Sequence, residues 1–216
     1  MTNNHLRIGI LALTLLMFIG CAKVYYPEKS KILISEHKTL AVLPINFDLK
    51  TELNNQQPHM DSYPVDQYFG LAFREKLVKK LKSESLSVEI IDLKTIDNYF
   101  AKKIEDGEKD FSINQIPTIA KDLNADAVFV YCVRTASAKS QAGELAKDFA
   151  MALTTGFYST DPTSEVKIIN QIYDGQTGKL IWQFNHWNQG MYFTTPMLIT
   201  NPIIKEVKNR IPYRIK

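Results

Sequence analysis

Two short stretches constrain the fold more than any other feature of the chain. Thr39–Ile45 and Ala125–Val133 are almost wholly apolar and do not alternate, through Leu40, Ala41, Val42, Leu43 and Ile45 in the first and Val128, Phe129, Val130 and Tyr131 in the second. A strand sends successive side chains to opposite faces, so an apolar run of this length is a strand covered on both sides. Two such strands need helices above and below them. Pro44 has no N–H to donate, which predicts that pairing of the first strand ends there.

The segments between them supply those helices. Phe69, Phe73, Leu77 and Leu81 recur at i+4 and predict a helix over Val65–Ser83, with Asp61 or Ser62 as cap and Pro64 in the first turn. Arg74, Lys76, Lys79, Lys80 and Lys82 are read as its solvent side and end; contact with anionic headgroups or a partner is the other reading of that basic cluster. A strand over Leu86–Ile91 follows, then helices over Leu93–Lys103 and Ile113–Leu123, the latter opened by Ser112 and closed by Asn124. Lys139–Thr155 reads as a helix whose Ala142, Ala146 and Ala150 form a small-residue seam. Glu165–Tyr173 and Lys179–Phe184 alternate and read as a hairpin around Asp174-Gly175-Gln176-Thr177-Gly178, whose two glycines suit positive φ. A last helix begins near Asn201-Pro202 and stops at Pro212. This order predicts a single three-layer α/β domain over residues 39–216: a mixed β-sheet flanked by helices, with a closing β-hairpin and a C-terminal helix.

The amino terminus is of another kind. Arg7 precedes Ile8–Ile19, twelve residues broken only by Gly9 and Thr14. As a helix this run spans about 18 Å, short of the roughly 30 Å hydrocarbon core. It reads as a secretory signal. Phe18-Ile19-Gly20-Cys21 resembles the bacterial lipoprotein signal, which is cut before a cysteine that is then acylated. The resemblance implies a signal peptide over residues 1–20, lipidation at Cys21, palmitate among the acyl groups, and a lipidated tether over Cys21–Lys38 with some order at its end. Ala22 in place of Asp implies, by the enterobacterial sorting pattern, an outer-membrane lipoprotein with a periplasm-facing domain in the bacterial cell envelope. A plain signal peptide, or a buried helix with a chance cysteine, is the plainer alternative.

Three further pieces resemble the α/β domain shared by the amino-terminal domain of TolB, the curli secretion lipoprotein CsgG and the wall-enzyme activator LpoB. They are Thr39-Leu40-Ala41-Val42-Leu43-Pro44, the passage Leu123-Asn124-Ala125-Asp126-Ala127, and Asp174-Gly175-Gln176-Thr177-Gly178 followed by Trp182. The resemblance implies an assembly role: secretion, envelope integrity or activation of a wall enzyme.

Catalytic signatures do not emerge. There is no Gly-x-Ser-x-Gly, and Gly175–Lys179 fails as a phosphate loop because Tyr173 and Leu180 stand where Gly and Ser or Thr are needed. His37, His59 and His186 are too widely spaced to suggest zinc. Asp92 with Glu89, or Asp61 with Asp66, read as caps or solvated faces rather than paired catalytic carboxylates. Cys132 lies in an apolar run and reads as a buried, inert thiol. A formal charge of +3 on 216 residues argues against nucleic acid. The expected function is therefore non-catalytic protein binding by a lipoprotein with no cofactor and no metal. Its expected partners are the membrane, through the acyl chains, and other envelope proteins or further copies of itself. An envelope hydrolase, or a small-ligand or lipid-binding lipoprotein, is the alternative. Candidate partner-binding positions are the polar loop Asn46–His59, the loop from His186 with Trp187, Tyr192 and Phe193, and the seam of Ala142, Ala146 and Ala150. For the aromatics, packing against the sheet edge is the competing reading; for the seam, packing on the protein's own sheet.

Overall fold

Leu40 and Val42 point to one side of the central sheet, Ala41 and Leu43 to the other, and both pairs are buried. A computed structural model describes residues 23–47, 67–108, 111–137, 164–190 and 196–215. Among these, the strands are β1 (Lys23–Tyr25), β2 (Thr39–Asn46), β3 (Glu89–Ile90), β4 (Ala127–Ser137), β5 (Ser164–Asp174) and β6 (Leu180–Gly190). The helices are α1 (Ser30–Glu36), α2 (Gln67–Lys82), α3 (Leu93–Glu105), α4 (Ile116–Leu123) and α5 (Pro196–Arg210). The six strands form one mixed sheet in the order β1-β6-β5-β4-β2-β3, with β2 parallel to β3 and β4 and the remaining neighbours antiparallel.

The chain leaves β2 in one direction to reach β3 and returns past β2 to reach β4. Right-handed crossovers of opposite sense place their helices on opposite faces. On one face Phe73, Leu77 and Leu81 of α2, Ile203 and Val207 of α5, and Ile211 just after it pack on Val42, Phe129 and Trp182. On the other, Ile96 and Phe100 of α3 and Ile116, Ile119 and Ala120 of α4 pack on Leu43, Val128 and Val130. The predicted single α/β domain with a mixed sheet, a β5–β6 hairpin and a C-terminal helix is thus present. Local signals hold where they rest on backbone chemistry: Asp92 accepts from the Lys94 amide at 3.0 Å, Ser112 and Gln115 form a capping box, and Asn124 closes α4 at φ 52°.

Four expectations need correction. Pairing does not end at Pro44: the register shifts between Val42 and Asn46, and the Phe47 amide then donates to the Tyr131 carbonyl at 2.9 Å. An irregularity absorbs the missing donor. α5 begins at Pro196, so Pro202 lies inside it. The tether is structured from Lys23 onward, because β1 pairs with Gln183–Asn185 and α1 follows it. Arg74 is not on the solvent side but buried.

The edge of the sheet explains Arg74. The Ile91 amide donates to the Leu40 carbonyl at 3.0 Å, and β3 then stops. Carbonyls two residues apart on a strand point the same way, so Val42 presents the next acceptor with no strand beside it among the described residues. Arg74 Nε donates to that carbonyl at 2.9 Å, and Nη1 reaches Asp97 of α3 at 2.7 Å. One side chain ties α2 to α3 around the sheet border. Arg74→Met keeps most of the apolar stem and strands the carbonyl. It should lower stability by about 2 kcal/mol, read as a shifted urea midpoint at unchanged m-value.

Candidate functional site

The largest concentration of hydrogen-bonded titratable groups among the described residues lies where β2 and β4 begin. Asp126 opens β4 and accepts at Oδ2 from the Lys38 and Thr39 amides at 2.7 and 2.9 Å, and from the Thr39 hydroxyl at 3.1 Å. Its own amide donates to that hydroxyl at 2.9 Å. Burial acts to raise the Asp126 pKa, but these three bonds and the nearby His37 outweigh it and hold the carboxyl below its usual range. The starts of two parallel strands are thereby fixed in register.

The β5–β6 turn docks on the same place. The Gly175 amide donates to the Asp126 carbonyl at 2.7 Å. A Cβ on Gly175 would lie 2.6 Å from the Ala125 carbonyl oxygen and 2.9 Å from Ala120 Cβ. Only Gly178, at φ +67°, uses the left-handed region expected of both glycines; Gly175 is there for close approach. The sequence pieces that carry the family resemblance, the start of β2, the Ala-Asp passage and the hairpin turn, therefore meet at one end of the sheet.

His37 joins them. Its Nε2 lies 3.1 Å from Asp174 Oδ1 and its Nδ1 lies 2.7 Å from the Tyr213 hydroxyl. Asp174 accepts at Oδ2 from the Thr177 amide at 2.7 Å and from the Thr177 hydroxyl. Burial works to raise the Asp174 pKa, yet Thr177 and His37 together hold it below the ordinary range. Burial, reinforced by the charges of Asp174 and Asp126, pushes the Tyr213 phenol upward.

A histidine held by an aspartate is the arrangement of a general base. Here the third corner is a phenol that is 1% exposed, and the His37 side chain is only 5% exposed. Both ring nitrogens are occupied within the protein. The group ties the α1–β2 junction, the hairpin and the carboxyl-terminal tail together, with His37 and Asp174 on the wall of the neighbouring cleft. Beside it runs an open cleft of about 680 Å³ lined by Glu36, Lys121, Asp122, Asp126 and Gln176 among others. Among the described residues no cluster of three His, Cys, Asp or Glu is placed to hold a metal ion.

The candidate positions read from sequence fare unevenly. His186 and Trp187 sit within β6, not in a loop. As neighbours on a strand they face opposite sides of the sheet, so they cannot form one patch. His186 is buried, stacked on Phe184 at 5.9 Å between centroids, and burial lowers its pKa, Arg210 adding to this against Glu206. Trp187 is half-buried on the other face, with Lys167 Nζ 5.9 Å from its ring centroid. Cys21, Ala142, Ala146, Ala150, Tyr192 and Phe193, with most of the Asn46–His59 loop, lie outside the described residues. Cys132 is buried, as expected. Sequence reading missed the His37, Asp174 and Tyr213 group, whose members stand 137 and 176 residues apart.

No protein-family model and no curated protein sequence matches the chain. Several solved structures are similar to it. The PelC dodecamer from Paraburkholderia phytofirmans shares 13% identity, covering 91% of this chain and 100% of that one at a TM-score of 0.45. Lipoprotein GNA1162 from Neisseria meningitidis shares 12%, covering 80% and 95% at 0.40. The hypothetical protein CT253 from Chlamydia trachomatis shares 12%, covering 81% and 96% at 0.38.

Proposed function

We propose that the chain is an acylated envelope lipoprotein that works by docking other envelope proteins, without catalysis. The observation that carries this reading is the Gly20-Cys21 junction, which ends a twelve-residue apolar run and stands two residues ahead of β1. Ala22 after the cysteine favours the outer membrane, with the domain facing the periplasm. The His37–Asp174–Tyr213 group supports a non-catalytic role, because its hydrogen bonds hold three chain segments together. The clefts are open troughs, whereas a small-ligand site normally encloses most of its ligand. Docking partners are envelope proteins or further copies of the chain.

Labelling with radioactive palmitate tests the reading. The wild-type product should take up label and sediment with membranes; Cys21→Ala should take up none and retain its signal. An unlabelled wild type, or unchanged processing and fractionation in Cys21→Ala, refutes it.

A further inference from the structure

A second trough of about 530 Å³ lies between β1–α1 and the end of α5. Val24, Tyr26, Lys31, Ile34, Arg210 and Arg214 line it, and no carboxylate does. Glu206 braces Arg210 at 2.9 Å, and Arg214 lies 4.0 Å from Glu84, while Lys31 projects from α1 into solvent. Tyr26, which lines the trough, and Ile32 and Ile215, each next in sequence to a lining residue, are exposed at 42, 62 and 58%. Cations beside exposed apolar and aromatic side chains suit a bilayer interface.

Chain length says which surface covers this face. Only Ala22 separates Cys21 from Lys23, so the Cys21 backbone lies within about 7 Å of the first strand residue. The polar layer of one leaflet is itself roughly 5–8 Å deep. With acyl chains in the hydrocarbon and β1 already part of the sheet, no spacer remains to lift the body clear of the headgroups. Anionic headgroups complement Lys31, Arg210 and Arg214; the other cleft, with Glu36, Asp122, Asp126 and Asp174, carries the opposite sign.

We infer that the face formed by β1, α1 and the end of α5 rests on the bilayer, and that its cationic trough takes the phosphodiester of anionic phospholipid headgroups. This rests on the acylation reading and adds an orientation to it.

The test uses the acylated full chain in vesicles of phosphatidylethanolamine with phosphatidylglycerol, carrying a nickel-chelating lipid as relaxant. Nitroxides are placed in turn at Ile32→Cys, Ile215→Cys and, as a control beneath the opposite sheet face, Ile104→Cys. Labels at 32 and 215 should relax several-fold more strongly than the label at 104. That difference should shrink in phosphatidylcholine, and in the pair Lys31→Glu with Arg214→Gln, while the protein still floats with the vesicles. Equal relaxation at all three positions in floating protein overturns the orientation and leaves acylation intact. A difference indifferent to lipid charge overturns the headgroup site. Protein that does not float at all overturns acylation and orientation together. The label positions are exposed and introduce no charge, so the first comparison stands even where the charge variant misfolds.

Discussion

Gly175→Ala should cost at least about 3 kcal/mol of folding stability, at the upper end of what overpacking usually does. The added carbon would meet a backbone oxygen, that of Ala125, at 2.6 Å, and a second, that of Asp126, at 2.9 Å. Backbone at the start of a central strand cannot yield as a long side chain does. The turn must lift, and the Gly175 amide then loses its 2.7 Å bond to Asp126. For a domain of this size the loss corresponds to a fall of roughly 6–12 °C in Tm. Gly178→Ala is the matched comparison. Its φ of +67° costs about 1–2 kcal/mol, and its nearest neighbour is a proline ring carbon at 3.0 Å. Calorimetry of the two variants side by side separates close approach from backbone strain; an equal loss would show that Gly175 is needed for conformation alone.

Asp174→Ala should be as severe, at about 3–4 kcal/mol, because it removes the acceptor for three donors in a buried setting. His37 Nε2 and both Thr177 groups lose their partner together. Asn at the same position should recover part of the loss, since its oxygen can still accept. The wild type carries a pH signature of this group. Asp174 and Asp126 both titrate below their ordinary values in the folded protein. The unfolded chain therefore takes up protons first, near pH 4. The stabilisation is complete above that value and drains away as pH falls through the folded values. Urea midpoints across the acid range should fall less steeply in Asp174→Ala than in the wild type; parallel curves would refute the assignment.

What the chain disclosed of its own fold follows from the range of the forces involved. Leu40–Leu43 and Val128–Val133 read as central strands because burial on both faces leaves an unmistakable local record. Ser112 and Asn124 were legible because capping acts over a few residues. β6 runs on to Gly190 although its sequence pattern ends at Phe184, because buried side chains there, Asn185 and His186, are polar. The Tyr173 hydroxyl donates to Gln171 at 2.9 Å, Gln171 to Gln183 at 2.6 Å, and Gln183 to Asn185 at 3.2 Å, all buried. A chain of mutually satisfied amides lets polar side chains fill buried strand positions. Arg74 misled for the same reason: a guanidinium that supplies a missing strand donor sits where sequence pattern places a solvated cation. His37, Asp174 and Tyr213 could not be linked at all, since nothing local joins residues so far apart. His186 and Trp187, read as neighbours in one loop, lie instead within β6, where the pleat sends them to opposite faces.

The border of the sheet at β3 has one more effect. An outer strand of two residues would ordinarily leave its neighbour ready to recruit a foreign strand. Arg74 occupies the acceptor that such a strand would use first, and the half-exposed Asp97 places a negative charge beside it. The same contact that braces two helices also keeps unrelated chains from stacking onto this margin. In a crowded compartment that would guard the protein against coaggregation.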